Sequence, residues 1–226
     1  GLIYALKIIF NMKNEYSNIW EIENNFYLRS DASRLKKAVC HYEVFKKTIK
    51  VPGSIVECGV FKGTSLIRLL TYRDLLQQKS KKIYGFDPFG KFPKQLIQDD
   101  NKFALKHDKV SGLGLKLKKL KKFLFNKKFK NFELIKGDVI KTLPNFLKKN
   151  TKLKISFLHL DMDVYEPTKF ALEKLFKKVA KNGIVLIDDY GYVRGATKAT
   201  NEFVKENKLR ISNLNFHKRL SFIIKN

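Results

Sequence analysis

Short apolar segments alternate along the chain with longer segments whose apolar residues recur at helical spacing. The short segments have the length and composition of buried strands. They predict strands at Ser54–Cys58, Lys82–Phe86, Phe132–Lys136, Ile155–Leu160 and Gly183–Ile187. The helical spacing predicts helices at residues 31–50, Ser65–Gln78, Val139–Lys149, Thr168–Lys181 and Ala196–Glu206. Asp31 stands where it can cap the first of these helices.

The order of these elements predicts an α/β fold. Strands that are apolar throughout need cover on both faces, which indicates a doubly wound, mostly parallel sheet between two layers of helices. Leu209–Ser212 and Arg219–Lys225 predict an antiparallel C-terminal pair at one edge, which makes the sheet seven-stranded. No linker rich in Pro, Gly or Ser divides the chain. A single domain is therefore expected over residues 1–226, with a helical N-terminal part at 1–50.

The net charge of +26 suggests an anionic partner, but its distribution weakens that inference. Lysines occur on nearly every predicted helix together with abundant Ile, Asn and Phe, as expected from a general compositional bias. The densest segment, Lys116–Lys130, has eight lysines and no acid, and its leucines recur near helical spacing. It predicts a basic amphipathic helix. Its lysines form either a solvated surface or a contact for a polyanion or phosphate-bearing substrate, and the sequence leaves both open.

The cysteine content and the N-terminal segment indicate the cellular compartment in which the protein is expected. Cys40 and Cys58 are too few for a disulfide framework and lack the spacing of a zinc site. The apolar segment Gly1–Phe10 is too short to span a membrane, is interrupted by Lys7, and lacks the order of a secretory signal. These features predict a reduced, cytoplasmic protein without a membrane span.

Three consecutive strand ends carry residues suited to an adenosine-type ligand. The first strand runs into the loop Glu57–Ser65, where Gly59 and Gly63 allow a tight turn and close approach of backbone to a ligand. Asp87 ends the second strand, where an acid can accept both ribose hydroxyls. Asp138 follows the third strand, where it can meet an adenine amino group. Together they predict a pocket for an adenosine-containing cofactor.

The next two strands end in carboxylates. Asp161 and Asp163 alternate after the fourth strand, and Asp188 and Asp189 follow the fifth. Gathering them in one crevice is unfavourable without a cation, because like charges repel and lose solvation. A hard divalent metal such as Mg²⁺ resolves this. The competing interpretation is that each acid caps a turn or helix.

Other polar residues of this region have structural interpretations. His159 is expected to be a buried, hydrogen-bonded strand residue. Tyr165 and Thr168 are expected to organise the turn and to cap a helix beginning near Pro167, with Pro at its first position.

Four segments, in order, resemble the macrocin O-methyltransferase family. They are Val51–Gly63 (VPGSIVECGVFKG), Tyr84–Phe89 (YGFDPF), His159–Thr168 (HLDMDVYEPT) and Ile187–Gly191 (IDDYG). The resemblance covers roughly residues 31–206. It implies a class I, Rossmann-like methyltransferase fold and an S-adenosylmethionine- and Mg²⁺-dependent sugar O-methyltransferase.

The resemblance also implies roles for individual residues. Asp163 would be the general base and Asp161 would share the catalytic site. The metal ligands would be Asp161, Asp188 and Asp189. The cofactor-binding residues would be Glu57, Gly59, Val60, Phe61, Gly63, Thr64, Ser65, Asp87, Pro88, Gly137, Asp138 and Asp161. Homo-oligomeric assembly is implied as well.

The acceptor is less defined than the cofactor. Residues 90–130, where the family places substrate-covering elements, contain no motif that aligns. A nucleotide sugar, a glycan or a glycosylated natural product fits the resemblance, and nucleic acid is not expected as a partner. The alternatives are a methyltransferase acting on a catechol-like diol or on nucleic acid, and a non-enzymatic basic docking module.

Overall fold

The computed structural model describes residues 18–226, so the apolar segment Gly1–Phe10 lies outside the described residues. Of these, residues 18–37 belong to one compact unit and Ala38–Asn226 form a second. Helix α1 covers residues 18–29, and helix α2 covers Ala32–Lys46. Asp31 caps α2 as predicted: the backbone N–H of Ser33 donates to its Oδ1 at 2.7 Å. The side-chain hydroxyl of Ser33, followed by this backbone hydrogen bond, lowers the pKa of Asp31.

A seven-stranded sheet organises the larger unit and confirms the predicted fold class. The strand order is β3-β2-β1-β4-β5-β7-β6. Strands β1 to β5 pair in parallel, whereas β7 is antiparallel to both β5 and β6. The strands are β1 Ser54–Cys58, β2 Ile83–Asp87, β3 Phe132–Lys136, β4 Ile155–Leu160, β5 Val179–Ile187, β6 Ser212–Leu214 and β7 His217–Ile224.

Helices connect the parallel strands. They are α3 Thr64–Leu75, α4 Gln98–Ser111, α5 Leu117–Asn126, α6 Val139–Lys149, α7 Tyr165–Leu175 and α8 Arg194–Glu206, with a 3₁₀ turn at Phe176–Lys178.

Several predictions about boundaries and caps were wrong. The helix predicted to end at Lys181 ends at Leu175, and β5, predicted to begin at Gly183, begins at Val179. Helix α7 begins at Tyr165, so Pro167 is its third residue and not its first. The Thr168 hydroxyl donates to the carbonyl of Val164 at 2.7 Å, within the helix, and does not cap it. At the C-terminus, β6 begins at Ser212, the residue where the predicted strand ends.

Two apolar layers cover the sheet, one on each face. Alternate residues of the central strands point in opposite directions, so Ile55 and Phe157 pack with α2, α3 and α5, and Val56 and Leu158 pack with α6 and α7. In α5, Leu120 and Leu124 are fully buried in the first layer. The apolar side of this lysine-rich helix is therefore part of the core. Within residues 18–226, no helix is long and apolar enough to cross a membrane.

Arg73 ties α3 to the segments that enter β2 and β3. Its side chain is 1% exposed. The guanidinium donates to the carbonyls of Lys81 (3.3 Å), Asn131 (3.0 Å) and Lys130 (2.9 Å), and it pairs with Asp74. A planar group with several donors suits this task, since each carbonyl lies in a fixed direction.

We expect Arg73→Met to lower the free energy of unfolding by about 3 kcal/mol, because buried carbonyls lose charged donors. Arg68→Met, on the same helix, is the control and should cost about 0.5 kcal/mol or less. Urea unfolding followed by circular dichroism measures both. Equal losses in the two variants would show that the buried hydrogen bonds contribute nothing specific.

Candidate functional site

The glycine loop after β1 lies directly against the end of β4. Gly59 has φ +94°, and a Cβ there would be 1.8 Å from the carbonyl oxygen of Asp161. Gly63 has φ +88°, and its Cβ would be 2.6 Å from a methyl group of Leu120. Only glycine fits both the left-handed backbone and the close approach. The loop predicted to hold a cofactor is thus fixed beside the predicted acidic residues.

Gly59→Ala is expected to destabilise the fold by about 4 kcal/mol or more, because the backbone of Asp161 cannot move away cheaply. Gly191→Ala is a matched control, since Gly191 has φ +83° but nothing within 4 Å of its Cβ position. That variant should cost only about 1 kcal/mol, for the left-handed backbone alone. The free energies of unfolding of the two variants, measured in urea, separate the cost of the steric clash from the cost of the left-handed backbone. Similar losses in both variants would contradict the proposed close packing.

Asp87 connects the end of β2 to the glycine loop. Its Oδ2 accepts from the backbone N–H of Val60 (2.9 Å) and Phe61 (2.8 Å), and its Oδ1 accepts from Phe89 N–H (2.6 Å). Burial raises the pKa of Asp87, and these hydrogen bonds oppose that rise. An ionised carboxylate has about four acceptor positions. Three are used here, so a ribose hydroxyl would have to share this carboxylate with the loop.

The end of β3 stands next to the end of β2. The N–H of Gly137 donates to the carbonyl of Asp87 at 2.9 Å. Asp138 then caps α6, its Oδ1 accepting from Ile140 N–H at 3.0 Å. Asp138 is therefore the N-cap residue of α6, a role not assigned to it from the sequence. Its predicted contact with adenine stays a prediction, as do the cofactor contacts of Thr64, Ser65 and Pro88.

Three carboxylates converge where β4 and β5 end. Asp161, Asp163 and Asp189, here called the acidic crevice, each offer one oxygen, and these oxygens lie within 4.8 Å of one another. All three side chains are partly exposed. Asp163 has left the strand and adopts φ +64°. The Arg219 guanidinium lies 3.3 Å from Oδ1 of Asp189. Oxygen donors this close fit a hard divalent cation, which would offset their mutual repulsion.

Asp188 lies with two histidines and not in the acidic crevice. Its Oδ1 is 3.4 Å from Nε2 of His41 and 3.8 Å from Nε2 of His159. The sequence grouped Asp188 with Asp161 and Asp189, whereas the structure groups Asp163 with those two. Consecutive residues at a strand end point in different directions, and the Asp188 side chain is directed into the protein, where it is 1% exposed.

His159 is a buried, hydrogen-bonded strand residue, as predicted. Its Nδ1 lies 2.9 Å from Oε1 of Glu57 on the neighbouring strand. Burial alone would lower the pKa of His159, but the neighbouring carboxylates of Asp188 and Glu57 outweigh it and raise the pKa to about 9. Sequence reasoning missed His41. Its one signal is its position among the apolar residues of α2, beside Cys40 and before Val44.

Residues 90–116 form hydrogen bonds both with the glycine loop and with the first residue of α7, which follows the turn that carries Asp163. Leu115 N–H donates to the carbonyl of Phe61 at 3.0 Å, and Lys62 Nζ donates to the carbonyl of Ser111 at 2.6 Å. At the other end, Tyr165 N–H donates to Oδ2 of Asp100 at 2.7 Å. Helix α4 thus bridges the two parts of the site. Its predicted role in covering the substrate stays a prediction.

Comparison with protein-family models identifies one match over most of the chain. The model described as macrocin-O-methyltransferase (TylF) matches residues 32–216. The demethyldecarbamoylnovobiocin O-methyltransferase of Streptomyces niveus is 26% identical over 160 residues, which are 68% of this chain and 58% of that protein. A tetracenomycin 4'-O-methyltransferase of Streptomyces olivaceus, acting on a dimethoxyrhamnosyl derivative, is 27% identical over 147 residues, or 62% and 54%. The chain therefore spans just over half the length of these curated relatives.

Solved structures agree with this fold. The O-methyltransferase NovP superposes with a TM-score of 0.74 at 22% identity, over 84% of this chain and 80% of NovP. The calicheamicin methyltransferase CalS11 gives a TM-score of 0.69 at 22% identity, over 91% and 85%. At this level of identity, the likeness establishes a shared methyltransferase fold.

Proposed function

Because the chain belongs to the macrocin-O-methyltransferase family, we propose that it transfers a methyl group from S-adenosylmethionine to a sugar hydroxyl with the help of Mg²⁺. The acceptor is a nucleotide sugar, a glycan or a glycosylated natural product. The names of the two curated relatives support a hydroxyl acceptor on a natural product, and one name specifies a rhamnosyl group. The predicted cytoplasmic location and homo-oligomeric assembly stay predictions.

The observation that carries this proposal is the contact between the glycine loop and the acidic crevice. Gly59 lies against the backbone of Asp161, whose side chain belongs to the crevice. A cofactor held by the loop and a cation held by the crevice would therefore be neighbours. Methyl transfer from a sulfonium is an in-line displacement and depends mainly on holding the acceptor oxygen close to the methyl carbon. The contact between Gly59 and the backbone of Asp161 supports this arrangement, because it places the loop beside the crevice.

For the cofactor, the glycine loop and the acids of β2 and β3 are the proposed contacts. Glu57, Gly59 and the following residues would hold the methionine part. Asp87 would bind the ribose and Asp138 would lie beside the adenine. Asp87 also holds the loop in place through the N–H groups of Val60 and Phe61.

For the metal, Asp161 and Asp189 are the proposed ligands, since both the motif and the geometry include them. When bound, Mg²⁺ would orient two neighbouring hydroxyls and make them more acidic. Asp163, in the same crevice, would accept the proton of the reacting hydroxyl. Asp188 as a third ligand stays a prediction.

Metal removal tests the proposal directly. Excess EDTA is expected to abolish methyl transfer, and added Mg²⁺ to restore it, because the crevice would no longer orient the acceptor. Calorimetry with S-adenosylhomocysteine should meanwhile give the same affinity with and without EDTA. Full activity in EDTA would eliminate the metal from the proposal.

Acceptor assays separate the sugar from the alternatives. We expect turnover with sugar-containing diols and none with catechols, since both could chelate a metal but differ in shape. A nucleic-acid methyltransferase would instead bind RNA with steep salt dependence. Turnover on catechols and not on sugar-containing diols would show that the acceptor is a catechol-like diol.

A further inference from the structure

Four ionisable side chains from four elements meet in the interior of the larger unit, behind the acidic crevice. They are Glu57 on β1, His159 on β4, Asp188 directly after β5 and His41 on α2, here called the buried histidine cluster. The three on β1, β4 and α2 are 0% exposed and Asp188 is 1% exposed. Charged groups without water must be compensated by one another.

Within this cluster, His41 makes the shorter contact with Asp188. The distance from His41 Nε2 to Oδ1 of Asp188 is 3.4 Å, and the corresponding distance from His159 Nε2 is 3.8 Å, which is beyond a hydrogen bond. His159 is instead bonded through Nδ1 to Glu57 at 2.9 Å. The two imidazole rings meet edge to face, with centroids 5.0 Å apart. The two rings thus contact each other, while His41 lies closest to Asp188 and His159 lies closest to Glu57.

Asp188 is also the residue that joins this cluster to the acidic crevice. Its backbone N–H donates to the carbonyl of Leu160 at 3.0 Å, one residue before Asp161. The next residue, Asp189, faces the crevice. A change in the position of Asp188 would therefore move the peptide that carries one proposed ligand and the strand end that carries the other.

We propose that His41 is a positioning residue for the metal site: it holds the Asp188 carboxylate from behind and thereby fixes the spacing of Asp161 and Asp189. The inference rests on the proposed function, which assigns the metal to those two acids. Side chains bonded directly to a metal ligand typically change metal affinity by 10- to 100-fold when they are removed, and His41, which acts through Asp188, is expected at the lower end of that range. His41 and Asp188 are 147 positions apart in the chain, and the fold brings them into contact.

Two substitutions at position 41 separate positioning from packing. Gln places an amide N–H close to the position of the imidazole Nε2, whereas Leu occupies a similar volume without a donor. We expect His41→Leu to weaken Mn²⁺ binding about tenfold or more, and His41→Gln to keep it within about threefold of the unsubstituted protein. Electron paramagnetic resonance titration measures free Mn²⁺ without any turnover. The affinity for S-adenosylhomocysteine, measured by calorimetry, should stay within about threefold in both variants, because His41 contacts Asp188, whereas Glu57, the cluster residue proposed to hold the cofactor, is bonded to His159.

A folded His41→Leu variant that binds Mn²⁺ as tightly as the unsubstituted protein would overturn the inference alone. An unsubstituted protein that binds no Mn²⁺ would instead overturn the proposed metal site, and this inference with it. If His41→Leu does not fold, the unsubstituted protein decides: saturating Mg²⁺ should shift the His41 Nε2 resonance in the ¹⁵N NMR spectrum. An unchanged resonance would overturn the proposed positioning role.

Discussion

Asp161→Asn should lower turnover about 1,000-fold or more, which corresponds to about 4 kcal/mol of transition-state stabilisation. Asp161 belongs to the acidic crevice, and its backbone contacts the glycine loop at Gly59. The substitution removes one of two proposed metal ligands and leaves that backbone contact unchanged. Metal affinity should therefore fall together with turnover, because a neutral amide is a poorer ligand than a carboxylate.

Affinity for S-adenosylhomocysteine should stay within about threefold in Asp161→Asn, since the loop that holds the cofactor is intact. Glu173→Gln is the control for charge, because Glu173 is an exposed acid on α7. Turnover by purified variants and calorimetry with S-adenosylhomocysteine measure the two effects. A loss of cofactor binding that equals the loss of turnover would show that Asp161 acts in binding alone.

Asp163→Asn should lower kcat about 100- to 10,000-fold, the usual contribution of a general base. The substitution suits this position, since Asp163 has φ +64° and asparagine adopts that conformation readily. An amide cannot accept the proton of the reacting hydroxyl, so the chemical step slows while the backbone stays in place. Rapid-quench measurement of a single turnover reports that step directly.

Metal affinity distinguishes a base from a ligand in the crevice. Asp163→Asn should bind Mn²⁺ within about threefold of the unsubstituted protein if Asp163 is the base. Asp188→Asn is the comparison, because the sequence predicts Asp188 as a metal ligand and the structure places it beside His41. Unchanged turnover in Asp163→Asn would remove that residue from the base role. A large loss of Mn²⁺ binding would make Asp163 a ligand.

Much of the sheet could be predicted because strand and helix signals agree with the packing. Strands β1, β3 and β4 begin and end at the predicted residues. Helix α4 was missed because its sequence lacks an apolar face: of its residues only Asp100 and Ala104 are buried. Its position depends on tertiary contacts such as that of Asp100 with Tyr165, which no local pattern encodes.

The site was predictable in its residue types but not in its grouping. Strand ends in a parallel sheet share one edge, and this brings Asp161 and Asp189 together as expected. Which of two consecutive carboxylates faces inward depends on partners from distant elements. Here His41 on α2 is that partner for Asp188, and nothing near residue 188 in the sequence points to it.

The central claim is that the acidic crevice holds a divalent cation beside the methyl donor. A crystal soaked with MnCl₂ and S-adenosylhomocysteine tests it through the anomalous signal of manganese. We predict one strong peak within coordination distance of both Asp161 and Asp189, with the cofactor sulfur facing it. Absence of a peak there at saturating Mn²⁺, with the cofactor bound and both carboxylates ordered, would contradict the account.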